Sequence, residues 1–344
     1  MRVSVKKLHD YCVNVLGFLG MPDDEAEIFS EILIQADQRG VKSHGVMAFM
    51  RYVGLIEKGI MQKKASHTAV VDNPIVAVWD AHSSCAHVTG YYAMQEAINK
   101  AIKYGIGFVG VRNSNHFGAG AYYSKQAADA GMIGLVNSTA GPTMAPWGGT
   151  ERLIGNSPLS VSVPTDTSPT VTLDMAMSTV AFGRITNIKT QRIKNIPEGW
   201  AFDKLGNETT VTDEAETLIP VGGITGGYKG FGLAFIIEIM SAILIGGPTG
   251  LRGNDDAGRP SHIFVAIDPT CFGSSLEEFT KVMEERIAEF KNGKKKEGVS
   301  EILMPGEIEE INYLKMYKEV EVIDEVVYQL NALAERLGCS ARVD

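Results

Sequence analysis

Gly105-Ile-Gly107-Phe-Val-Gly110 spells GxGxxG, the pattern of many dinucleotide-binding loops. In those loops a strand precedes the glycines and a helix begins within them, so that backbone N–H groups meet a pyrophosphate. Here the order is reversed, because a helical pattern over residues 91–103 precedes the glycines and an apolar strand pattern over 106–111 passes through them. The stretch therefore predicts a glycine that ends a helix and is followed by a strand, and it argues against a Rossmann fold.

The loop after this strand is better placed to bind an anion. It reads Arg112-Asn-Ser-Asn-His116-Phe-Gly118-Ala-Gly120, and a helix is predicted over 121–130. Glycines before a helix N-terminus allow an anion to approach free N–H groups. No acidic residue follows about twenty residues on, where a dinucleotide fold would hold a ribose. The loop is interpreted either as a phosphate or substrate site or as a plain connection.

Farther out, strands and helices alternate in the middle of the chain, and helical patterns dominate its ends, over 4–60 and in a final helix stopped by Gly338. The remaining predicted elements are strands at 68–71, 75–79, 133–137, 159–163, 171–174 and 263–267, a polar linker over 187–212, a long buried helix over 231–244 and an amphipathic helix over 276–290. They predict an α/β fold in which a mixed-sheet domain lies beside a helical domain built from both termini. The predicted boundaries are 1–68 plus 305–344 for the helical domain and 69–304 for the mixed α/β domain, with a nested subdomain considered near 121–229.

Composition excludes several classes of protein. The chain has 344 residues, 44% of them apolar and 21% charged, so disordered and fibrous proteins are excluded. Its net charge is −9, which disfavours nucleic acid or an anionic membrane as the main partner. Its four cysteines lie far apart without a CxxC pair, which is typical of reduced thiols in the cytosol. The apolar stretch 232–247 is interpreted as a buried helix too short to span a bilayer. We expect a cytoplasmic protein.

Two histidines are candidates for proton transfer, because imidazole exchanges protons near neutral pH. His44 lies in Arg39-Gly-Val-Lys-Ser43-His44-Gly45, where glycines leave room for a ligand and Ser43 supplies a hydroxyl. His116 lies in the glycine-containing loop described above. The alternative for His44 is a cap at a helix end, and surface or capping roles are expected for His9, His67, His82 and His87.

Two further segments carry polar groups with more than one possible role. Asp174 ends an apolar strand, where a buried carboxylate needs a partner. It is interpreted as orienting a catalytic imidazole, or as forming a salt bridge or a cap. The segment Gly226-Gly-Tyr-Lys229-Gly-Phe-Gly232 precedes the predicted long helix and places a cation beside free amides, so it is interpreted equally as a phosphate site and as the start of a buried helix.

Two classes of chemistry are disfavoured. The sequence has no HxxxH, HExxH or clustered carboxylates, so no metal site is predicted. A hydrolase triad could be assembled from Ser43, His44 and Asp174. However, no GxSxG elbow is present, and adjacent serine and histidine side chains are expected to be poorly placed to hydrogen-bond.

Seven short segments, spread in order along nearly the whole chain, carry a resemblance to a known family. They are Asp37-Gln-Arg39-Gly-Val-Lys-Ser43-His44-Gly45, Arg112-Asn-Ser-Asn-His116-Phe-Gly118, Ala145-Pro-Trp-Gly-Gly149, Gly155-Asn-Ser-Pro158, Leu173-Asp-Met-Ala176, Lys229-Gly-Phe-Gly-Leu233 and Pro305-Gly-Glu307. Together they resemble the malate/L-lactate dehydrogenase family of the second type. That family also includes sulfolactate, ureidoglycolate and diketogulonate oxidoreductases and an imine-reducing branch.

The resemblance implies a homodimeric oxidoreductase that uses NAD or NADP, bound by a non-Rossmann mixed-sheet domain, and that acts on a small 2-oxoacid or 2-hydroxyacid. It implies that His44 protonates the carbonyl oxygen as hydride arrives, assisted by Ser43 and Asp174. It places His116 at the substrate. It also implies a cofactor site lined by Gly118, Gly120, Asp174, Met175, Ala176, Lys229, Pro305, Gly306 and Glu307.

At two positions the chain departs from the family pattern. Many members carry an arginine, suited to bind the substrate carboxylate, where this chain has Ala48, and malate-like members carry another where this chain has Gly141. Arg51, Arg152 and Arg184 are the candidates to replace the missing guanidinium, and we expect Arg51 and Gly141 at the substrate. A dicarboxylate such as malate is therefore disfavoured as the substrate.

The leading hypothesis is reversible hydride transfer between NAD(P)H and a small 2-oxoacid, with His44 as general acid and base. The alternatives are an NAD(P)H-dependent reductase of a cyclic imine acid, a hydrolase that uses Ser43 or His44, and a non-catalytic metabolite-binding relative. The sequence does not distinguish NAD from NADP.

Overall fold

The structure of the chain, a computed structural model, describes residues 1–250 and 259–343. Its strands are, in chain order, β1 (Arg2–Ser4), β2 (Thr68–Asp72), β3 (Val76–Asp80), β4 (Ile106–Arg112), β5 (Ile133–Ser138), β6 (Pro142–Met144), β7 (Ile154–Gly155), β8 (Leu159–Val163), β9 (Val171–Met175), β10 (Ala201–Phe202), β11 (Glu208–Thr209), β12 (Thr217–Leu218), β13 (His262–Ile267) and β14 (Glu319–Glu321).

The helices flank these strands at both ends of the chain and lie between them. They are α1 (Val5–Phe18), α2 (Asp23–Gln38), α3 (Phe49–Glu57), α4 (Ala86–Tyr104), α5 (Gly120–Asp129), α6 (Phe182–Thr190), α7 (Gly223–Glu238), α8 (Leu276–Lys291), α9 (Glu307–Lys315) and α10 (Asp324–Leu337). Short 3-10 turns occupy Lys42–His44 and Val46–Ala48, and a π-helical turn over Ile239–Ile243 continues α7.

The main sheet has seven strands in the order β2-β3-β4-β13-β5-β8-β9. The pair β3–β4 is parallel and the other neighbours are antiparallel, so the sheet is mixed, as predicted. A smaller sheet has five strands in the order β11-β10-β12-β6-β7. A third sheet consists of β1 paired with β14. The α/β fold class is confirmed.

The reversed glycine pattern is confirmed in detail. Helix α4 ends at Tyr104, Gly105 adopts a φ of +83°, and β4 begins at Ile106. A Cβ on Gly107 would lie 2.0 Å from the carbonyl oxygen of Ala97, so this glycine allows α4 to pack directly on β4. These glycines therefore serve a helix end and a helix–sheet contact.

The two ends of the chain share one hydrophobic core. Buried side chains of the first three helices, such as Leu8, Phe29 and Phe49, pack in the same cluster as Val320 and Leu330 near the C-terminus. A second cluster lies between α4, α5 and the main sheet, and a third around the small sheet. The domain boundaries predicted from the sequence, 1–68 plus 305–344 and 69–304, stay a prediction.

Helix α7 differs from the predicted buried helix over 231–244. It begins at Gly223, and with its π-helical turn it reaches Ile243, which makes a helix long and apolar enough to cross a membrane by length and composition alone. The expectation that this stretch is too short is therefore wrong. The helix contacts β5 and β7 on one side. Its other side is exposed, with Ile236 53% and Leu244 66% accessible, so the expected burial is also wrong for the single chain.

The predicted polar linker over 187–212 is only partly irregular. Helix α6 extends into it as far as Thr190, and the short strands β10 and β11 lie inside it and pair with each other. Ile185 and Ile196 are buried in the core of the small sheet. The apolar residues of this stretch follow no clear helical or alternating period, so they do not predict these short elements.

Candidate active site

The register of the main sheet gathers several loops at one edge. His262, the first residue of β13, pairs with Val111 near the end of β4 and with Ser138 at the end of β5. On the far side of β5, Met175 at the end of β9 pairs with Leu159. The loops that follow β4, β5 and β9 therefore leave the sheet on the same side, and they carry His116, Gly141 and Ala176.

His44 lies in the connection between α2 and α3. The chain leaves α2 through Gly40, which has a φ of +82°, and forms the two 3-10 turns before α3. The Oγ atom of Ser43 lies 2.9 Å from Nδ1 of His44, so the ring is held through Nδ1 and its Nε2 atom remains for a ligand. The expectation that these adjacent side chains are poorly placed to hydrogen-bond is wrong, since the two atoms are within hydrogen-bond distance.

His116 faces His44 across the site. The ring centroids are 5.4 Å apart and the rings are nearly parallel, with an interplanar angle of 27°. Nδ1 of His116 lies 3.3 Å from the backbone N–H of Gly118 and 2.7 Å from Oη of Tyr52. Because a backbone N–H can only donate, Nδ1 is the acceptor, and the proton of the neutral ring is on Nε2. His116 is thus arranged to donate a hydrogen bond.

Tyr52 was missed by the sequence reasoning. It lies on the buried face of α3, where an aromatic residue at helical spacing resembles any core residue. Its hydroxyl reaches His116, and its ring contacts His87 edge-on at 4.6 Å. The sequence offers no signal for this role, since only the packing of α3 against the loop after β4 creates the contact.

Two more histidines are buried behind the site. His87 was expected in a turn, but it lies in the first turn of α4 and is fully buried against Phe29, at a centroid distance of 4.1 Å. The expected surface or capping role is wrong. His262 is held between Oγ of Ser138, 2.8 Å from Nδ1, and the carbonyl oxygen of Asn115, 3.0 Å from Nε2. His262 therefore anchors the loop that carries His116.

The positive charge of Arg51 acts on both facing imidazoles. Burial lowers the pKa of His44 below its usual 6.5, and Arg51 lowers it further. Burial lowers the pKa of His116 well below 6.5, and the charges of His44 and Arg51 add to the effect. Arg51 is exposed, and it forms no ion pair with any residue in the part of the chain that the structure describes. Its charge therefore acts on the two rings without being neutralised by an ion pair among the described residues.

The other two candidate arginines are engaged elsewhere. Arg152 binds Glu216 through a side-chain contact of 3.1 Å and a further bond to its carbonyl oxygen, and it lies over the Phe182 ring. The guanidinium of Arg184 stacks on Trp200 at 5.0 Å. Of the three arginines, Arg51 alone is shown close to the imidazoles. Gly141 is exposed at the sheet edge, between β5 and β6.

Asp174 forms a second part of the site, at the N-terminus of α5. Its Oδ2 atom accepts a hydrogen bond of 2.8 Å from the N–H of Ala121. The residue is exposed, so the expected burial of this carboxylate is wrong, yet the protein around the carboxyl group raises its pKa to about 6, and Glu309 adds to the rise. The helix N-terminus expected to bind an external anion therefore already holds this carboxylate. Within the described residues no hydrogen bond joins Asp174 to His44, so the hydrolase triad is not assembled.

The segment Pro305–Glu307 lies against the strand that carries Asp174. The N–H of Thr172 donates to the carbonyl oxygen of Pro305 at 2.9 Å, and a Cβ on Gly306 would lie 2.8 Å from the carbonyl oxygen of Thr172. Glu307 is turned away to Lys291 and to the N–H of Met304, at 2.9 Å. Its carboxylate therefore fixes the segment and is not free for a ligand.

Lys229 lies inside a helix and not in the predicted loop. The glycines around it belong to α7: a Cβ on Gly227 would lie 2.5 Å from the Trp147 ring, and one on Gly230 would lie 2.5 Å from the backbone nitrogen of Val221. They allow close packing, so the expectation of free amides there is wrong. The Lys229 side chain is exposed, with Nζ 5.8 Å from the Tyr228 ring centroid.

The remaining predicted residues lie between these two parts. Gly118, with a φ of +83°, faces His87, and a Cβ there would be 3.3 Å from Nε2 of that ring. Gly120 is the first residue of α5, beside Asp174, and Met175 and Ala176 follow Asp174 and are half-buried. Within residues 1–250 and 259–343, no three His, Cys, Asp or Glu side chains are grouped as metal ligands.

Known proteins resemble this chain over nearly its whole length. A family model described as malate/L-lactate dehydrogenase matches residues 3–331. The malate dehydrogenase of Pyrococcus abyssi is 37% identical over 351 residues, covering 98% of this chain and 95% of that protein. The ureidoglycolate dehydrogenase (NAD(+)) of Escherichia coli K12 is 30% identical over 337 residues, covering 96% and 95%. The solved sulfolactate dehydrogenase from Methanocaldococcus jannaschii superposes with a TM-score of 0.90 at 35% identity, covering 98% of both chains.

Proposed function

The chain belongs to the malate/L-lactate dehydrogenase family, an oxidoreductase family acting on hydroxyacids, and on that premise we propose an NAD(P)-dependent hydride transfer between nicotinamide and a small 2-oxoacid or 2-hydroxyacid. The observation that carries the proposal is the pair of facing imidazoles, His44 and His116, beside the free guanidinium of Arg51. A proton donor, a hydrogen-bond donor and a cation are the three groups that carbonyl reduction of an oxoacid requires.

In this proposal each side chain has one task. His44 gives its proton to the oxygen that becomes an alkoxide, and takes it back in the reverse reaction, while Ser43 holds its Nδ1 atom. His116 donates from Nε2 to an oxygen of the substrate, since its Nδ1 is occupied by the Gly118 N–H and by Tyr52. Arg51 binds the substrate carboxylate, for which a planar guanidinium is well suited. Gly141 leaves space at the same sheet edge for the rest of the substrate.

The groups around Asp174 fit a nicotinamide nucleotide. Asp174 offers a carboxylate with one oxygen bound to Ala121, and Lys229 forms no ion pair with the described residues, so an acceptor and a phosphate-binding cation are both available. The backbone of Gly118, Gly120, Met175, Ala176, Pro305 and Gly306 would line the cleft, while Glu307 supports it through Lys291. When bound, nicotinamide supplies the hydride. The name of one relative, ureidoglycolate dehydrogenase (NAD(+)), supports this class of cofactor.

We expect the chain to bind at least one of NADH and NADPH and to oxidise it with a 2-oxoacid. Titration with each nucleotide, followed by its fluorescence, measures binding. Turnover is then measured on a panel of 2-oxoacids, sulfonated analogues and cyclic imine acids. Binding of neither nucleotide would contradict the proposal. Turnover of cyclic imine acids alone would favour the imine reductase, and binding without any turnover would favour a non-catalytic relative.

The exposed side of α7 supports the expected homodimer. Leu233, Phe235, Ile236 and Leu244 place a large apolar surface in water, which is typical of a face that a second copy covers. All four cysteines are free thiols, which supports a cytoplasmic location. We therefore propose a cytoplasmic dimer that pairs through this face.

Replacing Ile236 by glutamate is expected to convert the dimer to a monomer, because it places a charge in the apolar face. Leu205→Glu is the matched control, since Leu205 is 71% exposed between β10 and β11, away from α7. Sedimentation equilibrium gives the mass of each variant. A wild-type protein with the mass of one chain, or an unchanged dimer in Ile236→Glu, would contradict the proposal.

A further inference from the structure

Asp37 is a buried carboxylate directly beneath the turns that carry His44. It lies in the last turn of α2 with 3% of its surface exposed, and its Oδ2 atom accepts a hydrogen bond of 2.8 Å from the N–H of Val46. That bond closes the chain reversal between α2 and α3. His44 lies within the closed segment, two residues before Val46.

Gly45 shows how closely the carboxylate is packed under the turn. A Cβ at this position would lie 2.3 Å from Cγ and Oδ1 of Asp37. The φ of Gly45 is −89°, on the side of the Ramachandran map that L-residues occupy, so a left-handed conformation is not the reason for a glycine here. The reason is the space taken by the Asp37 carboxylate, which leaves no room for a Cβ at position 45.

The position of Asp37 is costly to the fold. Burial raises its pKa to about 7, while the Val46 N–H and the charge of Lys42 act in the opposite direction. The ammonium of Lys42 donates to the carbonyl oxygen of Glu321, and the charge of Asp37 helps to raise the pKa of the buried Cys12 thiol in α1. No residue in the described part of the chain forms an ion pair with Asp37. An apolar side chain would fill such a place at less cost, so stability does not explain a hydrogen-bond acceptor there.

We propose that Asp37 is a positioning residue for His44: its carboxylate holds Gly45 and Val46 so that the turn Lys42–His44 presents the imidazole to His116 and Arg51. This inference rests on the proposed role of His44 as the acid. A shift of about 1 Å in a catalytic group is enough to lower a rate strongly, so the loss of this tether reduces kcat. The affinity for the nucleotide is set elsewhere, around Asp174.

The test compares Asp37→Ala, which removes the acceptor, with Asp37→Asn, which keeps an oxygen at the same place. We expect Asp37→Ala to lower kcat at least about tenfold with little change in NAD(P)H affinity, and Asp37→Asn to stay within about threefold of wild type. Hydrogen exchange of the 42–48 peptide, followed by mass spectrometry, is expected to accelerate in Asp37→Ala only.

Glu25 provides a matched control at the other end of α2. It is also a buried carboxylate bound to a backbone N–H, that of Ala65 at 2.6 Å, and burial also raises its pKa. Glu25→Ala is expected to lower the midpoint of thermal unfolding and to leave kcat unchanged. If Asp37→Ala behaves in the same way, Asp37 is only structural and the inference is wrong.

If Asp37→Ala does not fold, Gly45→Ala tests the same contact. Alanine is allowed at this φ, and its Cβ displaces the carboxylate, so kcat is expected to fall as in Asp37→Ala. Wild-type kcat in folded Gly45→Ala would overturn the inference. A separate failure of the proposed function is visible in His44→Ala: if that variant is fully active, His44 is not the acid, whatever the Asp37 variants show.

Discussion

Replacing His44 by alanine is expected to lower kcat by at least about 100-fold while the affinity for the nicotinamide nucleotide is retained. The imidazole is the half-buried group that can reach a substrate placed between His116 and Arg51, and its Nδ1 is already held by Ser43. Without it, the developing alkoxide must take a proton from water. Steady-state kinetics in both directions and nucleotide titration measure the two effects separately.

His9→Ala is the control for this experiment. His9 is also half-buried, but it lies on α1 and faces Glu27 at 3.4 Å, remote in sequence and element from the site. We expect its removal to leave kcat unchanged. Near-normal turnover of His44→Ala, with intact folding, would remove His44 from the reaction.

The pH dependence of the wild-type enzyme follows from the same residue. Its pKa lies below 6.5, because burial and then Arg51 disfavour the imidazolium. Reduction of an oxoacid needs the protonated ring, so its rate is expected to be highest below this pKa and to fall as pH rises through it. Oxidation of a hydroxyacid needs the neutral ring, so its rate rises through the same pKa and then levels off. In His44→Ala, the fall of the reduction rate and the rise of the oxidation rate around this pKa should both disappear.

Replacing Arg51 by glutamine is expected to raise the KM for the 2-oxoacid by about 10- to 100-fold, the loss expected when one charge-assisted pair with a carboxylate is removed. A second effect follows from the charge. Since Arg51 lowers the pKa of His44, its removal should move the pH limb of reduction to higher pH. In Arg51→Lys the charge remains, so the pH limb should stay in place while the KM still rises, because an ammonium lacks the planar two-point contact.

Arg184→Gln separates these effects from a general loss of positive charge. Arg184 is exposed and stacks on Trp200, so its replacement should change neither KM nor the pH limb. The measurement is a set of KM values for one 2-oxoacid, taken across pH 5 to 8 at saturating nucleotide. An unchanged KM in Arg51→Gln would mean that another group binds the carboxylate.

The predictions that failed share a physical cause. Helix α7 is apolar all round, a pattern typical of burial within one domain, but the single chain covers only one of its sides. By composition, its glycines place the start of the helix only near residue 231. Within the helix, glycine is needed at positions 227 and 230 because Trp147 and Val221 approach too closely to leave room for a Cβ. Local composition reports neither a partner surface nor a distance between elements that are remote in sequence.

What the sequence determined by itself is local in origin. The order of helix, Gly105 and strand argued against a Rossmann fold, and the apolar runs predicted all seven strands of the main sheet. The residue types around Ser43 and His44 made His44 a candidate for proton transfer. Tertiary structure alone decided which groups meet. It brought His116 to face His44 and Tyr52 to contact His116, put the charge of Arg51 within electrostatic reach of both rings, and set Asp37 beneath the turn. Strand register and helix packing join residues far apart in the chain, and a linear pattern contains no measure of those distances.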